Sequence, residues 1–452
     1  MLAIAILWAS GTAHGQFSSI VNGVQELAEP STGALLVGDA DSGKVTCTVS
    51  LVGCDAAITT AHCFNSSPET KTWVYFQHAG FVEIESATRH PAYAEALATF
   101  PPDVFDILRI EDIAFIKFVR PVSGITPAKL VNTLPALATP GTKVGFGRDP
   151  LTQQSAGSGD WNVGIKRSGT MELAACIGDL DGEDVLCWQP PVSQGAPGED
   201  VSTCEGDSGG PMFVDESGTR VVAGLTKGKF IDSQGQSDLC VPPVHPYDTN
   251  VHRHRDWIDG SSGVGGMVLD TGAIALDIQQ CGTLPQLDDA SPSGDAMGDC
   301  IADPWGETEE VRTCGFSGFL FEATSAAHSF AVPDGTSELR VAFNGVAGGL
   351  PVVDTNYYLR AGSPASASDF DCKADGGGNL GYCVYNNLPT SGTWHVAVDQ
   401  DLYQGEYQVT VTLFHPILQV PALEGTGRLA LAFALVAVMA VRSSRMRGLA
   451  RS

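Results

Sequence analysis

Cys204-Glu205-Gly206-Asp207-Ser208-Gly209-Gly210-Pro211 sets three glycines and a proline around a single serine. Glycine and proline at that density impose a tight turn and let backbone N–H groups approach another molecule with no side chains in the way. A serine hydroxyl is a weak nucleophile at neutral pH until a neighbouring base takes its proton. Two upstream stretches offer the groups required. Ile58-Thr59-Thr60-Ala61-His62-Cys63 puts a histidine beside a cysteine at the end of an apolar, strand-like run, and Glu111-Asp112-Ile113-Ala114-Phe115-Ile116 puts an aspartate at the head of another.

The order His62, Asp112, Ser208, with the three motifs around them, resembles the trypsin/chymotrypsin serine proteases. The resemblance implies hydrolysis of peptide bonds in proteins through an acyl-enzyme. Ser208 is then the nucleophile, His62 the base that later acts as acid, Asp112 the carboxylate that orients it, and the N–H groups of Gly206 and Ser208 the oxyanion hole. No metal or organic cofactor is required. Ile20-Val21-Asn22-Gly23 resembles the family's mature start, whose freed α-amino group pairs with the aspartate before the nucleophile, here Ile20 with Asp207. Ser19, rather than Arg or Lys, precedes Ile20, so a trypsin-like activator does not fit. Another activating protease, or another route, removes residues 16–19. The same resemblance implies disulfides Cys47–Cys63, Cys176–Cys187 and Cys204–Cys240.

Aligned back from Ser208 without gaps, Ser202 lies at the floor of the first specificity pocket and Thr203 beside it. Gly228 and Pro246 fall on its walls. With no carboxylate at the floor, a buried cationic substrate side chain would go unpaired, and a proline where the family has glycine narrows the slot. The expectation is cleavage after Ala, Val, Leu or Met. Asp200 is the alternative acid, should the loop from Trp188 to Thr203 be threaded differently.

Short β-rich segments separated by Gly, Pro and Ser run from Val45 to Val122 and again from Lys143 to Trp257. The fold class expected is all-β: a double antiparallel β-barrel with a C-terminal helix over residues 20–260. A Ser/Gly-rich and then Asp/Ser/Pro-rich linker over 261–299 follows. Beyond it Leu339, Val341 and Phe343 alternate with polar residues, as do Val409, Val411 and Leu413, marking strands with one buried face. Asp354–Gly362 and Gly392–Val398 resemble the bacterial pre-peptidase C-terminal domain, so a small accessory β-sandwich is expected over 300–415, with Cys372 paired to Cys383 by that resemblance. Cys300 and Cys314 form a local pair in this reading, and elimination leaves Cys54 with Cys281.

Twelve cysteines point to an oxidising compartment. Leu2–Ala9 is a short apolar run followed by small residues, so residues 1–15 read as a signal peptide and 16–19 as a short propeptide, a buried helix or strand being the other reading. A net charge of −27 argues against nucleic acid as a partner. Asp179–Asp184 is a solvated acidic turn or a weak calcium site, and His252 and His254, two apart, make a poor metal pair on a helix. The apolar run Leu429–Val441, followed by four arginines, makes 420–452 a transmembrane or sorting segment with a short helix, a buried helix being the alternative. These features describe an exported bacterial serine endopeptidase, secreted or held at the cell envelope. The rival is a catalytically silent protease-fold binding protein acting through its β-sandwich.

Overall fold

The computed structural model describes residues 20–262 and 304–415, apart from short segments at 28, 39, 41–42, 66–72, 100–109, 149–162, 178–182, 191–194, 232–239, 241–243, 307–310, 346–354, 375–378, 387–388 and 402–404. The expected signal peptide, propeptide, C-terminal segment, and both Cys281 and Cys300 lie outside the described residues, as does almost all of the linker. Among the described residues no helix is long and apolar enough to cross a membrane.

After β1 (Val24–Gln25) come β2 (Thr32–Val37), β3 (Lys44–Gly53), β4 (Ala56–Thr59), β5 (Trp73–Phe76), β6 (Gly80–Arg89) and β7 (Ala114–Phe118). They close a barrel in the order β2-β3-β4-β7-β6-β5. Its interior is filled by the apolar residues of these strands, among them Leu35, Val49, Ala57, Val74, Val82 and Ile116. Helix α1 (Pro91–Thr99) lies between β6 and β7. Proline at the first helical position and four alanines account for it: Pro91 has the right φ and no N–H to leave unpaired, and alanine is the strongest helix former.

The second half supplies β8 (Lys129–Leu130), β9 (Pro140–Gly145), β10 (Arg167–Ala174), β11 (Val185–Trp188), β12 (Pro211–Glu216), β13 (Thr219–Ile231), β14 (Val244–Asn250) and the closing helix α2 (Val251–Ser262). Strands β10, β11, β14, β13, β12 and β9 pair in that order, and β9 returns to pair with β10, so this ring closes too. Strand β1 adds to β10 through Val24–Ser168 and Gln25–Arg167. Between the two barrels Ile58, Phe115, Val144, Phe213, Leu225 and Ile258 share one core.

The accessory module is a sandwich of two four-stranded sheets. Its strands are β15 (Val311–Leu320), β16 (Thr324–Val332), β17 (Glu338–Gly345), β18 (Thr355–Ala361), β19 (Cys372–Ala374), β20 (Leu380–Asn386), β21 (Gly392–Gln400) and β22 (Gly405–Phe414). One sheet runs β15-β22-β17-β20 and the other β16-β21-β18-β19, and Cys372–Cys383 joins them. The sandwich is no loosely tethered appendage. Ala342, Leu380 and Tyr382 pack with Leu36, Tyr75 and Phe146 of the barrels. Gly80 has φ +71°, and a Cβ there would sit 2.5 Å from the Tyr382 ring, so the hairpin that carries it comes flush against the sandwich only as glycine. Arg340, buried, donates to the carbonyls of His78 at 2.8 Å and Ser123 at 2.7 Å. His78 itself is buried, and burial pushes its pKa down to about 3, so it sits in the interface neutral.

Candidate active site

His62 occupies a 3-10 turn, Ala61–Phe64, directly after β4. Cys63 in the same turn is bonded to Cys47 on β3, which braces the histidine against the barrel. Asp112 stands just before β7, the antiparallel neighbour of β4. Its carboxylate takes both the His62 backbone N–H, at 2.9 Å from Oδ1, and His62 Nδ1, at 2.7 Å from Oδ2. An ionised carboxylate only accepts hydrogen bonds, so Nδ1 carries a proton, and in the neutral ring the lone pair is then on Nε2.

Asp112 is buried, which opposes ionisation, but the His62 charge and hydrogen bonds, together with Lys227, outweigh burial and hold its pKa below the usual carboxylate value. Its carbonyl is tied to β14 by the Thr249 hydroxyl at 2.8 Å. The preceding Glu111 is ion-paired to Arg253 on α2 and lies 3.1 Å from Nε2 of His254, whose pKa burial lowers to about 3 so that it stays neutral. Position and charge of the aspartate are thus fixed from both barrels.

Ser208 sits at the turn between the Cys204 loop and β12, where Gly206 has φ +95° and Gly209 φ +78°. A Cβ on Gly209 would fall 1.8 Å from Thr59 Oγ1, which explains why this turn runs through glycine. Thr48 is a residue the sequence reading missed. Its N–H donates to the Ser208 carbonyl at 2.8 Å, its hydroxyl donates to the Gly206 carbonyl at 2.9 Å, and the same hydroxyl accepts from Phe146 N–H at 3.1 Å. Thr48 thus pins the carbonyls of both Gly206 and Ser208. Among the described residues neither N–H has a protein acceptor, and no hydrogen bond joins Ser208 Oγ to His62. That last bond is commonly long in a substrate-free triad and tightens on binding.

Ile20 and Asp207 are both fully buried. Ile20 packs among Met171, Leu173, Trp188, Val201 and Met212 of the second barrel. The Asp207 carboxylate accepts from Gly147 N–H and Cys204 N–H, each at 2.8 Å. Those bonds offset only part of its desolvation, and burial raises its pKa to about 6.

Ser202 is buried and forms a backbone bridge with Val21, and its Oγ has no partner. Asp200 is exposed beside Gly195, so the alternative threading is not the one adopted. Thr203 is buried, and its carbonyl accepts from Lys229 Nζ at 3.2 Å. In the β13–β14 ladder Gly228 faces Tyr247 and Lys229 faces Pro246. Two lysines of β13 thus approach the cleft: Lys229 at Thr203, and Lys227, whose Nζ donates to the Ile110 carbonyl at 2.7 Å. Burial lowers the Lys227 pKa to about 8, which leaves it charged beside Asp112 at neutral pH. Neither has a signal in a lone sequence, because a single lysine in a strand reads as a solvated residue.

Below this region Lys143 and Asp248 form an ion pair at 2.7 Å with both side chains wholly buried. The disulfides Cys176–Cys187 and Cys204–Cys240 are present, and Cys54 and Cys314 are also disulfide-bonded. Among the described residues two clusters have the composition of metal ligands, Cys47–His62–Cys63 and Cys204–Glu205–Cys240. In each the sulfurs are committed to a disulfide, and a disulfide offers no thiolate to a metal. His254, one of the two histidines on α2, is instead packed against the His90 ring at 5.6 Å.

Comparison with known proteins places these observations in a family. Residues 21–258 match the trypsin family, and residues 324–400 match the bacterial pre-peptidase C-terminal domain. Among solved structures the chain is similar to neuropsin, a serine protease expressed in the limbic system of mouse brain. That likeness has 19% identity, a TM-score of 0.40, and covers 53% of this chain and 99% of neuropsin. The disulfides and the bacterial accessory domain point to an exported protein. With the trypsin match running over more than half of its residues, the chain belongs to the trypsin family and is a serine endopeptidase.

Proposed function

We propose that Ser208, His62 and Asp112 are the catalytic triad of this endopeptidase. The observation that supports it best is the double hydrogen bond from His62 to Asp112, which fixes the imidazole tautomer with Nε2 available as base. Ser208 Oγ bonds to the scissile carbonyl carbon while its proton passes to His62 Nε2. The carbonyl oxygen becomes an oxyanion held by the N–H groups of Gly206 and Ser208, a contribution of roughly 3–4 kcal/mol per donor. Collapse breaks the C–N bond, and the proton on Nε2 goes to the leaving amine. Water, deprotonated by the same nitrogen, then releases the acyl group and restores Ser208.

Activation follows from cleavage before Ile20. A buried carboxylate at Asp207 with a raised pKa is a site waiting for a cation, and a new α-ammonium at Ile20 supplies one. The substrate residue before the cut is Ala, Val, Leu or Met. Ser202 brings no charge to the pocket floor, and the Lys229 ammonium at Thr203 repels a basic side chain. Residues 20–260 form the protease and 300–415 the accessory sandwich, with 1–15 as signal peptide, 16–19 as propeptide and 420–452 as envelope-sorting or membrane segment.

The test is a fluorophosphonate probe applied to the activated protein, with Ser208→Ala as control. Labelling at Ser208, and loss of both label and peptidase activity in the variant, is the expected result. Retained peptidase activity in Ser208→Ala refutes the assignment, and an intact protein that neither labels nor cleaves supports the silent binding protein instead.

A further inference from the structure

We propose that the β-sandwich is part of the working catalytic centre: Asn344 on β17 and Gln408 on β22 position the loop that carries the oxyanion donors. This rests on the assignment of Gly206 and Ser208 as those donors.

Strands β9 and β10 pair only as far as Gly145 and Arg167. Beyond that rung the two chains diverge into residues 146–148 and 163–166, joined by the Gly164 N–H to Phe146 carbonyl bond at 3.0 Å. A segment leaving a ladder in this way has backbone groups that the ladder no longer pairs, and in a buried place they need other partners. The sandwich provides these. Asn344 Nδ2 donates to the Gly164 carbonyl at 2.9 Å. The Gln408 amide holds Lys166 from both ends, accepting from its N–H at 3.0 Å and donating to its carbonyl at 2.7 Å. Glu26, directly after β1, also donates its N–H to the Lys166 carbonyl at 2.8 Å, so Gln408 supplies the acceptor for the Lys166 N–H and a second bond at that carbonyl.

Both amides are wholly buried and are themselves held. Tyr75 OH donates to Asn344 Oδ1 at 3.0 Å, and Gln77 Nε2 lies 3.3 Å from Asn344 Oδ1 and 3.2 Å from Gln408 Oε1. Side-chain amides in such a network have little rotational freedom, so they fix the segment they touch.

The oxyanion turn rests on that segment. A Cβ at Gly206 would lie 2.8 Å from Gly147 Cα and 3.0 Å from Val163 Cγ1, so the glycine is seated directly against both chains. Gly147 N–H in turn holds Asp207, and Phe146 N–H meets the Thr48 hydroxyl that pins the Gly206 carbonyl. The same sandwich strand reaches the other element of activation. Glu406 pairs with Arg167 and accepts from Gln25 on β1, five residues after Ile20. Asn344 and Gln408 are therefore positioning residues, acting on Gly206 through Val163–Lys166.

The test uses the full-length activated protein with Asn344→Ala and Gln408→Ala, assayed on a peptide anilide and inhibited by a peptide aldehyde that forms a tetrahedral adduct with Ser208. Expected is a fall in kcat of roughly tenfold or more with KM within about twofold, and an equal loss of aldehyde affinity, because a misplaced oxyanion donor acts on the transition state and its mimic. Thr412→Val on the same strand is the control. It removes an interface bond to His78 while leaving every hydrogen bond of Asn344 and Gln408 in place, and it leaves kcat and aldehyde affinity unchanged. Should an alanine variant not fold, Gln408→Met keeps most of the volume and loses both bonds to Lys166, and kcat falls in that variant too. Amide variants that keep the parent kcat, or that behave as Thr412→Val does, overturn the proposal. If Ser208→Ala is inert while the amide variants are unaffected, the sandwich inference alone fails, whereas an active Ser208→Ala removes its premise.

Discussion

Lys143→Met isolates the most exposed energetic commitment of the second barrel, the charge pair hidden beneath the cleft. Lys143 on β9 meets Asp248 on β14 at 2.7 Å, with no solvent contact for either side chain. Lys143 Nζ also lies 5.1 Å from the Trp188 ring centroid, and Asp248 Oδ1 has no partner. Burial pushes the aspartate pKa up and the lysine pKa down despite their attraction, so desolvation is only partly offset by pairing. Methionine fills much of the lysine volume and strands the carboxylate, which must ionise alone or take a proton. Taking a proton at pH 7, for a group of solution pKa near 3.9, costs about 4 kcal/mol, within the roughly 3–5 kcal/mol expected for breaking a buried pair. At pH 4 the protonation is nearly free and the deficit shrinks to under about 1 kcal/mol. The assay is guanidinium unfolding of the Ser208→Ala protein, which cannot digest itself, with and without Lys143→Met at both pH values, reading the midpoint at constant slope. Lys143→Met/Asp248→Leu should recover most of the loss at pH 7, because two apolar groups need no partner. An equal deficit at pH 4 and pH 7, or a double variant as unstable as the single, would refute the electrostatic account and leave simple packing.

Thr48→Val keeps the shape but leaves the Phe146 N–H without its acceptor and the Gly206 carbonyl without its donor; a loss of about 1–3 kcal/mol in stability and a fall in kcat are expected, with Thr48→Ser restoring both in kinetic and unfolding assays. Before cleavage at Ile20, Asp207 titrates near 6 in the folded chain because it is buried, above its unfolded value, so the folded state binds the proton more tightly. Stability of that precursor is then fullest below about pH 4 and declines by up to about 3 kcal/mol as pH rises to about 6. The cleaved form, with an ammonium beside Asp207, should lack that decline, and unfolding curves of the two forms across the window decide it. A peptide-library profile should be dominated by Ala, Val, Leu and Met before the cut; one dominated by Arg and Lys overturns the reading of Ser202.

The proposed catalytic centre stands out in the sequence because its chemistry demands rare residues in fixed local company. The glycines around Ser208 are imposed by backbone approach, since a Cβ at Gly209 would collide with Thr59, and such constraints write themselves into a single sequence. β-rich segments punctuated by Gly, Pro and Ser marked the barrels, and alternation marked strands of the sandwich, for the same local reason. Thr48, Lys227 and Lys229 left no such trace. Each acts through a partner far along the chain, Thr48 on Gly206, Lys227 on Ile110 and Lys229 on Thr203, and nothing in the neighbouring residues distinguishes them from ordinary strand positions. The contact between sandwich and protease was hidden most completely. Alternation along β17 and β22 assigned Leu339, Val341, Val409 and Val411 to the buried face and, by the same rule, Arg340, Asn344 and Gln408 to solvent. The structure buries those three polar residues against the barrels, so β17 and β22 are covered on both faces there. A polar residue on a strand's outer face reads as solvated, and only a partner carrying matched donors and acceptors turns it into an interface residue. The polarity that suggested a free surface is thus what joins the two modules. Each buried amide must find its hydrogen bonds in one relative placement of sandwich and barrel, whereas an apolar face would tolerate several.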